Sequence, residues 1–203
     1  MVYSKEYKYI FIRHQKTASE SIINGLPCPC RPFEGLDIGS QYKHVQSLSG
    51  RKYDPRHIPF FEFDNFFNDI IPNPSDYFKF SFSRNPWDRL VSAWKYSFVS
   101  GRIKNYGKVD FNEFVKSRLD AWLCVDMNTV DFCEGCDFIG RFENLQQDFD
   151  IVCDKIGIAR KQLPHINKTK HKHYTHYYDD ETREIVAQKY AKDIEHFGYE
   201  FGE

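Results

Sequence analysis

The residues best suited to chemistry stand in two short stretches. The first is Tyr9-Ile10-Phe11-Ile12-Arg13-His14-Gln15-Lys16-Thr17-Ala18-Ser19-Glu20-Ser21, in which an apolar run passes into a lysine, a threonine and two serines. That is the layout of an anion-binding loop between a strand and a helix. The glycines of a nucleoside triphosphate loop, G-x-x-x-x-G-K-[ST], are nevertheless missing, because Arg, His and Gln precede Lys16. The second stretch is FKFSFSRNPWDRLVSAW, residues 78–94, where Arg84 closes an apolar run and Ser92 follows eight positions later. Two cradles in separate parts of the chain suit a ligand with two separated phosphates. A polyphosphate would need one cradle and a magnesium ligand, and no apolar run ending in a Walker B aspartate is evident.

Elements must position these residues. Lys8 to Arg13 is dense in Ile, Phe and Tyr and is expected to be a buried strand. Thr17 to Leu26 is expected to be a helix, stopped near Gly25 and Pro27, with Thr17 at the N-cap and Glu20 reaching back in a capping box. Residues 78–83 form the second strand, and Asn85 and Pro86 open a helix that runs to about Phe98. On it Trp87, Leu90, Val91, Trp94 and Phe98 share one side, and Asp88, Arg89 and Ser92 the other. Further helices are expected at 64–71, 110–123, 143–156 and 179–196, and a strand at 136–142. The alternation predicts an α/β fold: one P-loop-like domain, residues 1–203, with a central parallel sheet flanked by helices. In such a sheet the ligand sits beyond the C-terminal strand ends, where both stretches lie.

Composition narrows the partners. Lys plus Arg number 28 against 29 Asp plus Glu, so a net charge of −1 gives no general attraction to nucleic acid or anionic membrane. Any anion site is local. No apolar run approaches the ~18 residues of a membrane span, and MVYSKEYKY lacks a signal-peptide core, so the chain is expected to be soluble and cytoplasmic. Cysteines at 28, 30, 124, 133, 136 and 153 are read as reduced thiols. Cys28-Pro29-Cys30 and Cys133-Glu134-Gly135-Cys136 have the ligand types of a four-thiolate zinc site, but no fold argument joins them and no metal is expected.

The two stretches, together with FIGRFENLQQDFDIVCDKIGI and LPHINKTKHKHYTHYYDDET, resemble the carbohydrate sulfotransferase family, whose members use 3′-phosphoadenosine 5′-phosphosulfate (PAPS). The resemblance runs from about residue 8 to 201. It implies that Lys16, Thr17, Ala18, Ser19 and Ser21 hold the 5′-phosphosulfate, and that Arg84 and Ser92 hold the 3′-phosphate. Lys168 or Lys170 would fold over the donor, and Tyr174 or Tyr178 would stack on adenine. Lys16 would neutralise the leaving phosphate, and His44 would take the acceptor proton, since an imidazole of pKa about 6.5 suits that task. No metal is implied, and the product is adenosine 3′,5′-bisphosphate. The acceptor would be a hydroxyl of a carbohydrate or related molecule, bound by the variable segments near 27–77 and 99–135. Where the family often has Pro before the Lys, and Thr in the helix, this chain has Gln15 and Glu20, and a first-turn carboxylate repels an anion unless it is turned away.

Two rivals remain open on the residues alone. Arg13-His14-Gln15-Lys16-Thr17 is near the Arg-His-Gly-x-Thr of histidine phosphatases, whose His is a nucleophile. The chain could also be a non-catalytic nucleotide or carbohydrate binder.

Overall fold

The structure, a computed structural model, describes residues 1–29, 45–46, 52–53, 57–62, 70–71, 73–99, 110–118, 127–164 and 172–203. Its frame is a four-stranded sheet. Strand β1 (Val2–Ser4) turns back antiparallel on β2 (Tyr9–Phe11), with Val2 opposite Phe11 and Ser4 opposite Tyr9. A short separate hairpin joins β3 (Val45–Gln46) to β4 (Lys52–Tyr53). Strand β5 (Phe78–Ser83) lies parallel to β2, and β6 (Phe138–Arg141) parallel to β5, giving the order β1-β2-β5-β6. The expected parallel sheet is therefore present, with an antiparallel edge strand that the N-terminal sequence did not signal.

Alternation along β2 divides the core in two. Tyr9 and Phe11, with Phe80 and Phe82 of β5, face α1 (Ser19–Gly25) and α5 (Leu145–Ile156) through Ile22, Ile23, Phe149, Val152 and Cys153. The Phe11 and Phe80 rings stack at 5.0 Å. Each such buried ring contributes roughly 1.5 to 3 kcal/mol. Gly25 is needed at the α1 contact, since a Cβ there would stand 2.5 Å from both Leu163 and Phe149. On the other face Ile10 and Ile12 meet Tyr3, Ile58, Ile71, Phe132 and Cys133.

A third cluster forms where α2 (Pro86–Val99) packs against α3 (Phe111–Arg118), α6 (Asp180–Lys189) and α7 (Ala191–Phe197), around Trp87, Leu90, Val91, Phe114, Val186 and Tyr190. Asp179 and Thr182 cap α6 reciprocally, at 2.7 Å and 3.1 Å. The single helix expected over 179–196 is two helices. The chain turns at the buried Tyr190, and α7 then aims Asp193 at the backbone N–H groups of Thr129 and Val130, which open the four-residue helix α4 (Thr129–Phe132). The helix expected at 64–71 falls mostly outside the described residues. Among those described, no helix is long and apolar enough to cross a membrane.

Candidate anion-binding site

After β2 the chain stays on the sheet for one more residue, the Ile12 N–H donating to the Phe80 carbonyl at 2.9 Å, and then turns sharply. Thr17 Oγ1 and Ser19 Oγ both donate to the His14 carbonyl, at 2.9 and 3.0 Å. Lys16 and Ala18 take the left-handed conformation, with φ of 65° and 62°. Glycine takes this conformation freely, whereas each costs on the order of 1–3 kcal/mol in a residue with a side chain. The loop keeps its shape because its neighbours hold it.

The expected capping box is not formed. Helix α1 begins at Ser19, its N-cap is Ala18, and no side chain caps it. Glu20 instead pairs with the guanidinium of the buried Arg13. A partly buried ion pair outweighs a bond to one exposed N–H. The consequence is that the first-turn carboxylate has a cationic partner.

His14 is fully buried, its ring 4.5 Å from that of Phe132. Arg89 Nη1 donates to Thr129 Oγ1 at 2.9 Å and to His14 Nδ1 at 2.9 Å, and the Thr129 hydroxyl lies 3.1 Å from the same Nδ1. The same Nη1 also lies 3.2 Å from Nε2, and since an arginine only donates, it meets the ring at an acceptor nitrogen. Burial, the Arg89 charge and His57 hold His14 well below the usual histidine range. The ring is a neutral strut with no exposed face, which removes the attacking nitrogen that a histidine phosphatase requires.

Arg89 corrects the helical-wheel expectation. It is 1% exposed, donates also to the Met127 carbonyl at 3.0 Å, and lies 3.9 Å from Asp193. Arg89 faces His14, Thr129 and Asp193, so at this position the polar side of α2 is not a solvent side. Nothing in the sequence pairs positions so far apart, and only the fold reveals this network.

The second junction follows expectation. Asn85 Oδ1 accepts from the Trp87 N–H at 3.1 Å, and Pro86 takes the first helical position. Arg84 donates through Nε and Nη2 to Asp88 Oδ2, at 2.8 and 2.7 Å, with its guanidinium 4.0 Å from the centre of the Phe142 ring. Its Nη1 donates to the Lys16 carbonyl at 3.1 Å. This bond brings the two sequence stretches to one place. The Lys16 ammonium lies 3.9 Å above the Tyr96 ring, and burial, then the Arg84 charge, lower its pKa to about 8. Among the described residues no carboxylate pairs with it. Ser92 is half-buried farther along α2, and Ser21 is buried on α1.

The remaining expectations divide. His44, Lys168 and Lys170 lie outside the described residues. Tyr174 is 3% exposed, its hydroxyl accepts from the Gly202 N–H at 2.7 Å, and its ring meets Phe201 edge-on at 5.6 Å. The Tyr178 hydroxyl donates to the Trp87 carbonyl at 2.9 Å. The Tyr174 ring is built into the aromatic core, so its expected stacking on adenine finds no open face, while Tyr178 is partly buried against the same cluster. The sheet separates Cys28 from Cys133, two of the four thiols whose types would suit a zinc site. Cys28 follows α1 on one side of the sheet, beside the Pro27 carbonyl that accepts from Tyr9, whereas Cys133 belongs to the opposite core. An addition comes from His57, whose Nδ1 lies 2.8 Å from the Arg13 carbonyl. A carbonyl only accepts, so Nδ1 carries the proton and Nε2 is the basic nitrogen.

A sequence profile of the sulfotransferase family matches residues 1–200. The chain belongs to the sulfotransferase family. It is 31% identical over 157 residues to human carbohydrate sulfotransferase 9, covering 62% of this chain and 34% of that protein. Against carbohydrate sulfotransferase 14 of Danio rerio it is 27% identical over 165 residues, or 61% of this chain and 44% of that one. An uncharacterized protein of Archaeoglobus fulgidus is 33% identical over 105 residues, covering 48% and 82%. The match thus spans less than half of either named sulfotransferase. No solved structure is a significant match.

Proposed function

We propose that this sulfotransferase-family chain moves a sulfuryl group from PAPS to a hydroxyl of a carbohydrate or related acceptor, without a metal. The observation that carries the reading is the Arg84 bond to the Lys16 carbonyl, which sets two cations from distant parts of the sequence side by side. The donor supplies an activated sulfur whose bond to the 5′-phosphate oxygen breaks as the acceptor oxygen attacks in line.

Lys16 covers the charge that develops on the departing phosphate, and in a buried setting that compensation is worth far more than in water. Thr17 and Ser19 act through loop shape, since their hydroxyls are committed to His14, leaving the loop N–H groups and Ser21 for the 5′ end. Arg84 takes the 3′-phosphate together with Ser92, exchanging part of its hold on Asp88 for the more highly charged ligand. Lys168 and Lys170 close over the donor. The acceptor proton goes to His44, with His57 as the second imidazole, oriented by Arg13. The segments 27–77 and 99–135 choose the acceptor, and residues 1–203 act as one domain.

The test is calorimetric titration with adenosine 3′,5′-bisphosphate and AMP in magnesium-free buffer. The bisphosphate is expected to bind at least about tenfold more tightly, and Arg84→Ala to remove that preference, since a charge-assisted contact is worth roughly 1.5–3 kcal/mol. Equal affinity for the two nucleotides would sink the donor assignment.

A further inference from the structure

One sequence feature is not absorbed by the donor site: Cys133-Glu134-Gly135-Cys136, between α4 and β6. The Cys136 N–H donates to the Cys133 carbonyl at 2.9 Å, closing a four-residue turn with Gly135 at φ +87° in its third position. A turn of this kind holds its end Cα atoms within about 7 Å, and a disulfide asks for roughly 4.4–6.8 Å. Both ends are pinned. The Cys133 N–H donates to the Thr129 carbonyl at 2.9 Å, and beyond Cys136 the Asp137 N–H donates to the Lys79 carbonyl at 2.7 Å while Asp137 Oδ2 accepts from the Lys79 N–H at 2.7 Å. Gly135 fits against Phe60, where a Cβ would come 2.9 Å from the ring. Both thiols are free, Cys133 buried and Cys136 partly exposed, so one can meet an oxidant and the other can resolve.

We propose that Cys133 and Cys136 are a redox-active dithiol that closes to an intrachain disulfide by exchange with a small-molecule disulfide. The Cys136 thiol loses its proton to solvent, and its thiolate attacks one sulfur of the oxidant and expels the other as a thiolate. The Cys133 thiol passes its proton to the first departed thiolate, and the Cys133 thiolate so formed attacks the Cys136 sulfur, forms the internal bond and expels the second small thiolate, which is protonated from solvent. Two protein thiols are oxidised and one external disulfide is reduced to two thiols. Hydrogen bonding to the Cys133 thiol, then burial, hold the Cys136 thiol well above the usual range. Exchange is accordingly slow at neutral pH and accelerates as pH rises. The turn touches Phe60, three residues from the His57 that holds the Arg13 carbonyl, so oxidation acts on the segment beside the anion loop.

The experiment uses the full chain with glutathione disulfide. After acid quench, free thiols are blocked with N-ethylmaleimide, disulfides are reduced, and the released thiols are labelled with iodoacetamide. The expected result is iodoacetamide on Cys133 and Cys136 in equal amounts, and an intact mass lower by two hydrogens with no glutathione attached. In Cys136→Ser that internal loss disappears. A stable glutathione adduct on Cys136 with Cys133 still reduced overturns the proposal, as does closure through any other cysteine pair. Labelling of the parent chain decides the matter even where the variant fails to fold, and it does not depend on sulfuryl transfer.

Discussion

The two strand-to-helix junctions that meet at Arg84 are built in opposite ways. At the second, Asn85 caps, Pro86 fills the first helical position, and no positive φ occurs from Ser83 to Trp87. At the first, Lys16 and Ala18 are both left-handed, α1 lacks a side-chain cap, and the helix is only seven residues long. The first is held from outside, by the His14 ring wedged between Arg89 and Phe132, by the Arg13–Glu20 pair, and by Arg84 on the Lys16 carbonyl. The comparison teaches that strain is concentrated in the loop that carries Lys16, while the relaxed junction serves as its abutment.

The largest expected effect breaks the strained side. Lys16→Ala should lower kcat by about 10²–10³, the usual scale for removing one donor to a developing oxyanion, and weaken bisphosphate binding as well. Initial rates with sulfur-labelled donor, alongside thermal melts, separate this from unfolding. A rate within tenfold of the parent in a folded variant would remove Lys16 from the chemistry.

The base comes next. One of His44→Ala and His57→Ala should cost about 10²–10⁴ in turnover and abolish the rise of rate with pH through an imidazole pKa, because only the neutral ring accepts a proton. Adenosine 3′,5′-bisphosphate affinity should stay within about twofold in that variant. If both single variants keep near-parent rates, neither imidazole is the base and the binder reading gains ground.

Much of this arrangement was legible in the sequence because it is local. The β5 to α2 junction follows from an alternating strand, an Asn cap and a proline at the first helical turn, and the structure places each there. The sheet followed from the alternation of apolar strands and helices. What could not be read depends on distant partners. Glu20 satisfies a capping-box pattern yet pairs with Arg13, Arg89 sits on a helical polar stripe yet is buried against His14 and Asp193, and Tyr174 looks like a stacking platform yet lies in the aromatic core. In each case the local pattern was present and a longer-range contact was stronger.

A smaller effect sharpens the comparison through pH. With a pKa lowered to about 8, folded Lys16 releases its proton before an unfolded lysine does, so the unfolded chain binds more protons between about pH 8 and the ordinary lysine value of 10.5. Lys16 therefore makes stability rise with pH across that window. Affinity for the bisphosphate should fall over the same range, as the cation that meets it is lost. Chemical denaturation and titration at stepped pH should show the two slopes with opposite signs, and Lys16→Met should flatten both. Slopes unchanged in Lys16→Met would assign the titration to another group.

The smallest effect tests the strain itself. Ala18→Gly removes a Cβ at φ 62°, relieving roughly 1–2 kcal/mol, against which glycine loses about 0.4–1 kcal/mol through the freer unfolded chain. The balance runs from about zero to a stabilisation of roughly 1.6 kcal/mol. Asn85→Ala, at the relaxed junction, should go the other way, losing roughly 0.5–2 kcal/mol with the cap on Trp87 and also the bond from its Nδ2 to the Glu200 carbonyl, 3.0 Å long. For a chain of this size each kcal/mol moves Tm by about 2–4 °C, so the two variants should bracket the parent melt. Turnover separates them further. Ala18→Gly loosens the backbone that presents Lys16, so a higher Tm should accompany a lower kcat. If Ala18→Gly instead melts below the parent, the loop is not a reservoir of strain and the contrast between the two junctions fails.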